Sequence, residues 1–262
     1  MSAPPFSPEG YAQILGVAKA GGYRMCPFRE ALDTPARSVD ATAAPTLILR
    51  HDVDFSIDCA VRMAEFEAAA GVRSTYFVML ACEHYNLLAK PGREKIARIR
   101  ELGHEIGLHW DSSTYPQDKE RVEQIFRREL GVLGDVAGVP IVSAAQHIPT
   151  DSPIFNVEAY VENETYATRY RSRFKYVSDS SMRWRDHTVV DLLSTGADVH
   201  FCCHPEWWFA EGVTADEKLV SAVEVSNAKQ LESVRAFLKY MHAILAERAT
   251  YDAKFREVKG AM

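Results

Sequence analysis

Residues 50 to 54 read Arg-His-Asp-Val-Asp and follow the apolar run Leu47-Ile48-Leu49 with no glycine or proline between them. Four ionisable side chains at the end of a buried strand cost free energy unless something there requires them. The arrangement recurs. His109-Trp110-Asp111 closes one apolar segment, Gln146-His147 another, and Cys202-Cys203-His204 a third, while Ser178-Asp179-Ser180-Ser181 follows a fourth. Side chains alternate along a strand, so Arg50, Asp52 and Asp54 share one side, as do His109 and Asp111, and Cys202 and His204. If those are interior sides, Asp52, Asp54, His109, Asp111 and His204, with His147 as a further member, form a mixed histidine and carboxylate set. That is the ligand chemistry of Zn²⁺ or another divalent first-row metal with an open position. Carboxylates so placed repel one another without a cation or a raised pKa.

The elements that must position these groups alternate. Ser7-Pro8-Glu9 opens a helix over 7–21, with a capping residue, proline at the first helical position and then an acid. Strand 46–54 is followed by helix 57–70, stopped by Gly71, then strand 74–80, helix 92–102, stopped by Gly103, strand 105–110 and helix 116–133. Further strands are predicted at 141–147, 174–178, 188–193 and 198–204, and a long helix over 226–248 closes the chain. Strands separated by helices imply parallel βαβ units, hence an α/β fold with a parallel sheet or a barrel. In such folds the carboxyl ends of the strands share one rim, and the site lies there. Segment 150–173 has neither period and reads as a long loop with short helical pieces, of the kind that contributes to sites.

The chain has 262 residues, 47% of them hydrophobic, and a net charge of −6, which suits one domain over 1–262 with helices 7–21 and 226–248 packed on it. Its acidity gives no reason to expect nucleic acid as a partner. No apolar span suits membrane insertion, and the first residues lack a signal peptide's basic-then-apolar order, so a cytoplasmic location is expected. Five cysteines without a CxxC pair fit a reducing compartment. His104 reads as structural, and His84, His187 and His242 as surface or helix residues. Trp207-Trp208 is either packing or a platform for a sugar ring. The basic run Arg169-Tyr170-Arg171-Ser172-Arg173 is either a solvated face or an anion clamp.

RHDVD and the later GHEIGLHWD, SDSSMRW and CCHPEWW, in that order, resemble the polysaccharide deacetylase superfamily (NodB homology domain, carbohydrate esterase family 4), in the HDVD form of bacterial O-antigen and surface-polysaccharide loci. The resemblance spans residues 45 to 210. It implies a distorted (β/α) barrel of about seven parallel strands and a metal-dependent hydrolase that removes N- or O-acyl groups from sugars. Residue by residue it puts Asp52 on the catalytic base, Asp54 on the metal-binding aspartate, although Val53 separates two aspartates that are adjacent in the family, and His109 on the first metal histidine. Asp179 and Trp184 fall on the segment that supports the acid, and His204 on the general acid. Two positions depart from the pattern. Ser113 stands where the family has its second metal histidine, and the QHIP segment with His147 stands where an arginine usually holds the base. His147, or alternatively Asp111, is therefore expected to complete the metal site.

The implied chemistry uses a divalent metal, Zn²⁺ first and Ni²⁺, Co²⁺ or Mn²⁺ as alternatives. Asp52, restrained by Arg50, acts as base, and His204, oriented by Asp179, as acid. Arg50, Trp110, Trp184, Trp207 and Trp208 are expected at the substrate, and Arg169 or Arg171 at a uronate or phosphate on it. The expected partner is an acylated sugar, glycan or sugar nucleotide. Two competing readings are a non-catalytic glycan-binding protein on this scaffold and a metal-free cyclic-amide hydrolase.

Overall fold

The structure is a computed structural model and describes residues 3–36, 42–116, 118–148 and 155–246. The strands, in chain order, are β1 (Arg24–Cys26), β2 (Thr46–Val53), β3 (Thr75–Val78), β4 (Glu105–Trp110), β5 (Ser143–Gln146), β6 (Asn163–Glu164), β7 (Lys175–Ser178) and β8 (Val199–Cys203). The helices are α1 (Pro8–Ala20), α2 (Ile57–Ala69), α3 (Lys90–Glu101), α4 (Lys119–Ala137), α5 (Thr168–Arg171), α6 (Val189–Ser194), α7 (Pro205–Phe209) and α8 (Ala215–Ala246). Every strand pairing is parallel, and the order across the sheet is β6-β5-β4-β3-β2-β8-β7, with β1 on the first half of β2. Seven strands thus curl into a distorted (β/α) half-barrel flanked by helices.

β2 is the axis of this arrangement. All eight of its residues are buried, because β1 and β8 cover its start and β3 and β8 its end. Its two faces differ. On the concave face Ile48 packs with Phe28, Phe77, Ala145, Tyr170 and Phe174, a small apolar plug beneath Arg50 and Asp52. On the convex face Leu47, Leu49 and Val53 join the larger core under the helices. His51 also points there and meets the buried Glu67 of α2 at 2.8 Å. The Glu67 carboxylate further accepts hydrogen bonds from Tyr11 (2.5 Å), Ser74 (2.6 Å) and Tyr76 (2.7 Å), which satisfies a charge that burial alone would not tolerate. His104 completes this group, with Nε2 on the Ala64 carbonyl. Gly107 of β4 lies against Phe77 of β3. A Cβ there would sit 2.5 Å from the Phe77 ring, so only glycine lets the two strands close.

Two elements differ from expectation. Residues 188–193 form no strand. Thr188 caps α6 through a reciprocal pair with Asp191, in which Asp191 N–H donates to Thr188 Oγ1 and Thr188 N–H to Asp191 Oδ2. This capping box overrides the β-branched run Thr188-Val189-Val190. The last helix starts at Ala215 rather than 226. Glu217 accepts from Val213 and Thr214 N–H while Thr214 Oγ1 accepts from Glu217 N–H, a start signal eleven residues upstream of the one inferred from sequence. Positions 247 and 248 of the expected helix lie outside the described residues, as do 150–154 of the expected loop. From 155 to 173 that loop holds a 3₁₀ turn (Val157–Ala159), β6 and α5.

The chain forms two compact units, Met1–Ala222 and Val223–Met262. The first carries everything described below. In the second the described part is helical to Ala246, with Leu231, Val234 and Phe237 exposed. Among the described residues no helix is long and apolar enough to cross a membrane.

Candidate active site

At the carboxyl end of β2 the Arg50 guanidinium grips Asp52 with two parallel hydrogen bonds, Nε to Oδ1 and Nη2 to Oδ2, both 2.7 Å. Both residues are buried. Burial alone would raise the Asp52 pKa, but the adjacent guanidinium outweighs it and holds the carboxyl well below the usual range. Tyr166 Oη accepts from Arg50 at 3.1 Å and its ring lies under the guanidinium at 5.0 Å. Cys202 of β8 donates its thiol to Asp52 Oδ2 at 3.4 Å. Arg50, expected to meet substrate, does not reach the cavity. It is consumed in holding Asp52.

Asp54, one residue past the strand, points into the cavity with His109 and His147. A carboxylate oxygen and one nitrogen from each histidine all lie within 4.8 Å of one another. His109 donates Nδ1–H to the Ala145 carbonyl at 2.9 Å, which leaves an Nε2 lone pair 3.2 Å from Asp54 Oδ1. That buried oxygen has no hydrogen-bond partner. Two lone-pair atoms facing each other this closely require a cation between them, either a proton or a metal. Two ligands of a tetrahedral zinc ion lie about 3.3 Å apart, so the pair has a spacing that fits. His147 Nε2 stands 3.9 Å from Asp54 Oδ2, and its Nδ1–H donates to Asp111 Oδ2 at 3.2 Å. Asp111 therefore reaches the cluster through His147, while its other oxygen accepts from Ser113 N–H at 2.8 Å. A carboxylate behind a histidine is the usual support of a metal ligand, since it fixes the tautomer and the ring plane. The donor set of two histidines and one carboxylate with second-layer partners fits a divalent metal. Ser113 lies in an exposed 3₁₀ turn (Ser112–Thr114) and offers none.

Beside them His204, at the end of the neighbouring strand β8, donates Nδ1–H to Asp179 at 2.6 Å. Asp179 is fully buried and also accepts from His204 N–H at 3.2 Å and Trp208 Nε1–H at 2.7 Å. Burial works against the charged imidazole, but the Asp179 carboxylate prevails and pushes the His204 pKa up to about 10. Its Nε2 faces the site, 3.7 Å from Asp54 Oδ2.

These groups open on one cavity of about 740 Å³, lined among others by Asp52, Asp54, His109, His147, His204 and Trp207. That volume is ample for a sugar. All three non-glycine residues with positive φ among the described ones, Ile148 (43°), Ser181 (58°) and Met182 (54°), lie on or next to this wall. For a β-branched residue such as Ile148 the conformation is an outlier, and strain of this sort collects at sites.

The other aromatic and basic residues expected at the substrate are placed elsewhere. Trp110 is core, packed on Phe126 and Phe155. Trp208 is buried and committed to Asp179, and Trp184 stacks on Phe6 at 5.6 Å. Large rings beside an apolar core gain more by full burial than at a wet rim. Arg169 donates to the Glu162 carbonyl and pairs with Glu158, and Arg171 is exposed. Neither lines the cavity. Sequence reasoning missed Phe55, Tyr166, Tyr176 and Arg185 on the wall, while Ser180 and Ser181 belong to the turn it had placed at the rim. Phe55, directly after Asp54, was within reach of a local reading. Tyr166 lies in a segment without period and gave no signal.

No family model and no curated protein matches the chain. Among solved structures it is similar to a family 4 carbohydrate esterase pseudoenzyme from Bacillus anthracis (12% identity, 72% of this chain, 62% of that chain, TM-score 0.43). It is also similar to IcaB from Ammonifex degensii (14% identity, 82% and 89% covered, TM-score 0.44) and to the peptidoglycan deacetylase PdaC from Bacillus subtilis (15% identity, 78% and 98% covered, TM-score 0.40). The chain spans less than two thirds of the length of the Bacillus anthracis protein.

Proposed function

We propose that this chain is a metal-dependent hydrolase that removes an acyl group, N-acetyl in the first instance, from a sugar. The observation that carries the reading is the opposite preparation of two adjacent groups on one cavity wall. Arg50 favours the ionised form of Asp52 and Asp179 the protonated form of His204, a carboxylate oxygen of Asp52 and a ring nitrogen of His204 lie within 4.8 Å of each other, and the Asp54, His109 and His147 donors stand beside them. An ionised carboxylate and a protonated imidazole set side by side can accept and donate a proton, and a simple binding site needs neither.

Asp54, His109 and His147 would hold the metal, with Asp111 behind His147. When bound, the metal supplies Lewis acidity toward a water and the acyl carbonyl. Asp52 takes a proton from the attacking water as its oxygen bonds to the acyl carbon. His204 passes its Nε2 proton to the departing nitrogen as the carbon–nitrogen bond breaks, so a carboxylic acid and a free amine leave. A carboxylate held as low as Asp52 gains little by deprotonating an ordinary water. This base suits a site where the water has been acidified, and that favours the metal-dependent over the metal-free reading. Trp207 and Tyr176 offer apolar faces for the ring. The resemblance to surface-polysaccharide enzymes and the five free thiols, suited to a reducing compartment, favour a cytoplasmic sugar precursor as substrate.

The test joins elemental analysis of the purified chain to acetate release from a panel of N-acetylated sugars. Bound metal near one equivalent, release that chelation stops, and an Asp52→Asn variant that keeps its metal but loses turnover are expected. A chain that takes up no divalent metal, or an Asp52→Asn variant that still releases acetate, would overturn the proposal.

A further inference from the structure

Beside the main cavity lies a second one of about 300 Å³, lined by Lys175, Tyr176, Val177, Ser178, Arg185, Asp186, His187 and Leu192. Tyr176 and Arg185 line both, so the two spaces adjoin across these side chains. Ser178 on the second wall and Ser180 on the first share a hydrogen bond of 2.7 Å, which continues the polar seam between them. The left-handed residues Ser181 and Met182 turn the chain between Ser180 and Arg185, and both ends of that turn stand on the cavity wall.

The charge of this second space is opposite to that of the chain. The protein carries −6 overall, yet here Arg185 and Lys175 stand against one acidic group, Asp186, with His187 beside them. Two other arginines of the sheet have assigned duties, one at each end of the strands. Arg50 holds Asp52 and Arg173 holds Asp198, whereas the side chains of Arg185 and Lys175 make no hydrogen bond or ion pair with a described residue. A guanidinium fork and an ammonium in a space that also holds the Ser178 hydroxyl recognise an oxyanion, the first by paired hydrogen bonds and the second as a point charge. Two cations in a space of this size suit one substituent and not a nucleic-acid backbone.

We propose that the sugar processed here carries an anionic substituent, a phosphate ester or a carboxylate, received by Arg185 and Lys175 in the second cavity while the ring lies along Tyr176 and the acyl group reaches Asp52 and His204. The placement of ring and acyl group rests on the sugar-deacylase reading above. The anion subsite itself does not.

The experiment is calorimetric binding of glucose, glucose 1-phosphate and glucuronate to the full chain and to Arg185→Ala, Lys175→Ala and Arg185→Lys. Binding needs no turnover, so a chain that holds glucose 1-phosphate but releases no acetate refutes the deacylase reading and keeps this one. An anionic sugar is expected to bind more tightly than glucose and to lose about tenfold or more in Arg185→Ala, the worth of one charge-assisted contact. Arg185→Lys should recover part of that loss. Preference for glucose 1-phosphate over glucuronate assigns the anion as phosphate, and the reverse as carboxylate. Equal binding of all three sugars, no binding of either anionic sugar at millimolar concentration, or an unchanged affinity in both alanine variants overturns the proposal. Arg185 and Lys175 are exposed, so neither alanine variant removes a packed side chain.

Discussion

Replacing Arg50 with methionine tests whether the guanidinium exists to keep Asp52 charged. Arg50 is fully buried and Asp52 is 4% exposed, and the pair shares two hydrogen bonds of 2.7 Å. Methionine fills much of the same volume but leaves a buried carboxylate without its main partner, and breaking a buried pair from one side costs about 3–5 kcal/mol. His109 and His204 also favour the Asp52 anion, which places the expected loss near the lower end. Against a domain stability of about 5–15 kcal/mol the variant still folds. With a urea slope of about 2–3 kcal/mol per molar, the unfolding midpoint falls by about 1 M or more. The pH dependence carries the sharper signature. In the wild type the Asp52 pKa is depressed, so its contribution is complete above the unfolded value of about 3.9 and is lost as pH falls through the folded value. In Arg50→Met burial is opposed only by His109 and His204, so the folded pKa rises toward or past the unfolded one and the stability that Asp52 contributes above the unfolded value shrinks or is lost. The double variant Arg50→Met with Asp52→Asn should recover most of the loss, because no charge is left stranded. Losses that simply add, to within about 0.5 kcal/mol, would refute the coupling and with it the assignment of Arg50.

Asp179→Asn removes the charge that holds the His204 pKa at about 10, so the alkaline limb of the activity profile should move toward the ordinary histidine value near 6.5, with turnover falling by about 10²–10⁴. The sign follows from His204 acting in its protonated form, and an unmoved limb would show that another group sets it. Asp111→Asn should weaken metal binding by about 10- to 100-fold in a chelator competition, since it supports His147 without lying in the cluster. Unchanged affinity would reduce Asp111 to a cap for the turn at Ser113.

The fold was legible because its signals were local and redundant. Ser7-Pro8, Gly71 and Gly103 mark helix ends, and the apolar runs of β2, β4 and β8 mark buried strands. Residues 188–193 misled because the β-branched pair Val189-Val190 outweighed a capping box that is visible only as Thr188 followed three residues later by Asp191. In the site, alternation along β2 placed Asp52 and Asp54 together, and the strand ends supplied His109, His147, Asp179 and His204. Trp110, Trp184 and Trp208 were misjudged for a physical reason. A tryptophan near a rim is equally at home in the core, and only packing decides, as it did for Trp110 against Phe126 and Phe155. Arg169 and Arg171 drew notice by clustering, whereas Arg185 matters by position, which a run of charge does not reveal.

The place of His147 beside His109 follows from the register of β4 and β5. His109 is the partner of Ala145 and Trp110 of Gln146, so the next step along brings 111 beside 147. His147 N–H then donates to the Trp110 carbonyl at 2.8 Å, and its ring turns to Asp111. Alternation puts residues 145 and 147 on the same face, the one His109 uses, and the two imidazoles meet with centroids 5.3 Å apart. A ligand four residues beyond His109 on its own chain would have to fold back from a turn. One on the neighbouring strand reaches the same point through the ladder, supported by a carboxylate already there. The cluster of Asp54, His109 and His147 thus needs no donor from Ser113, because β2, β4 and the end of β5 bring its three members together.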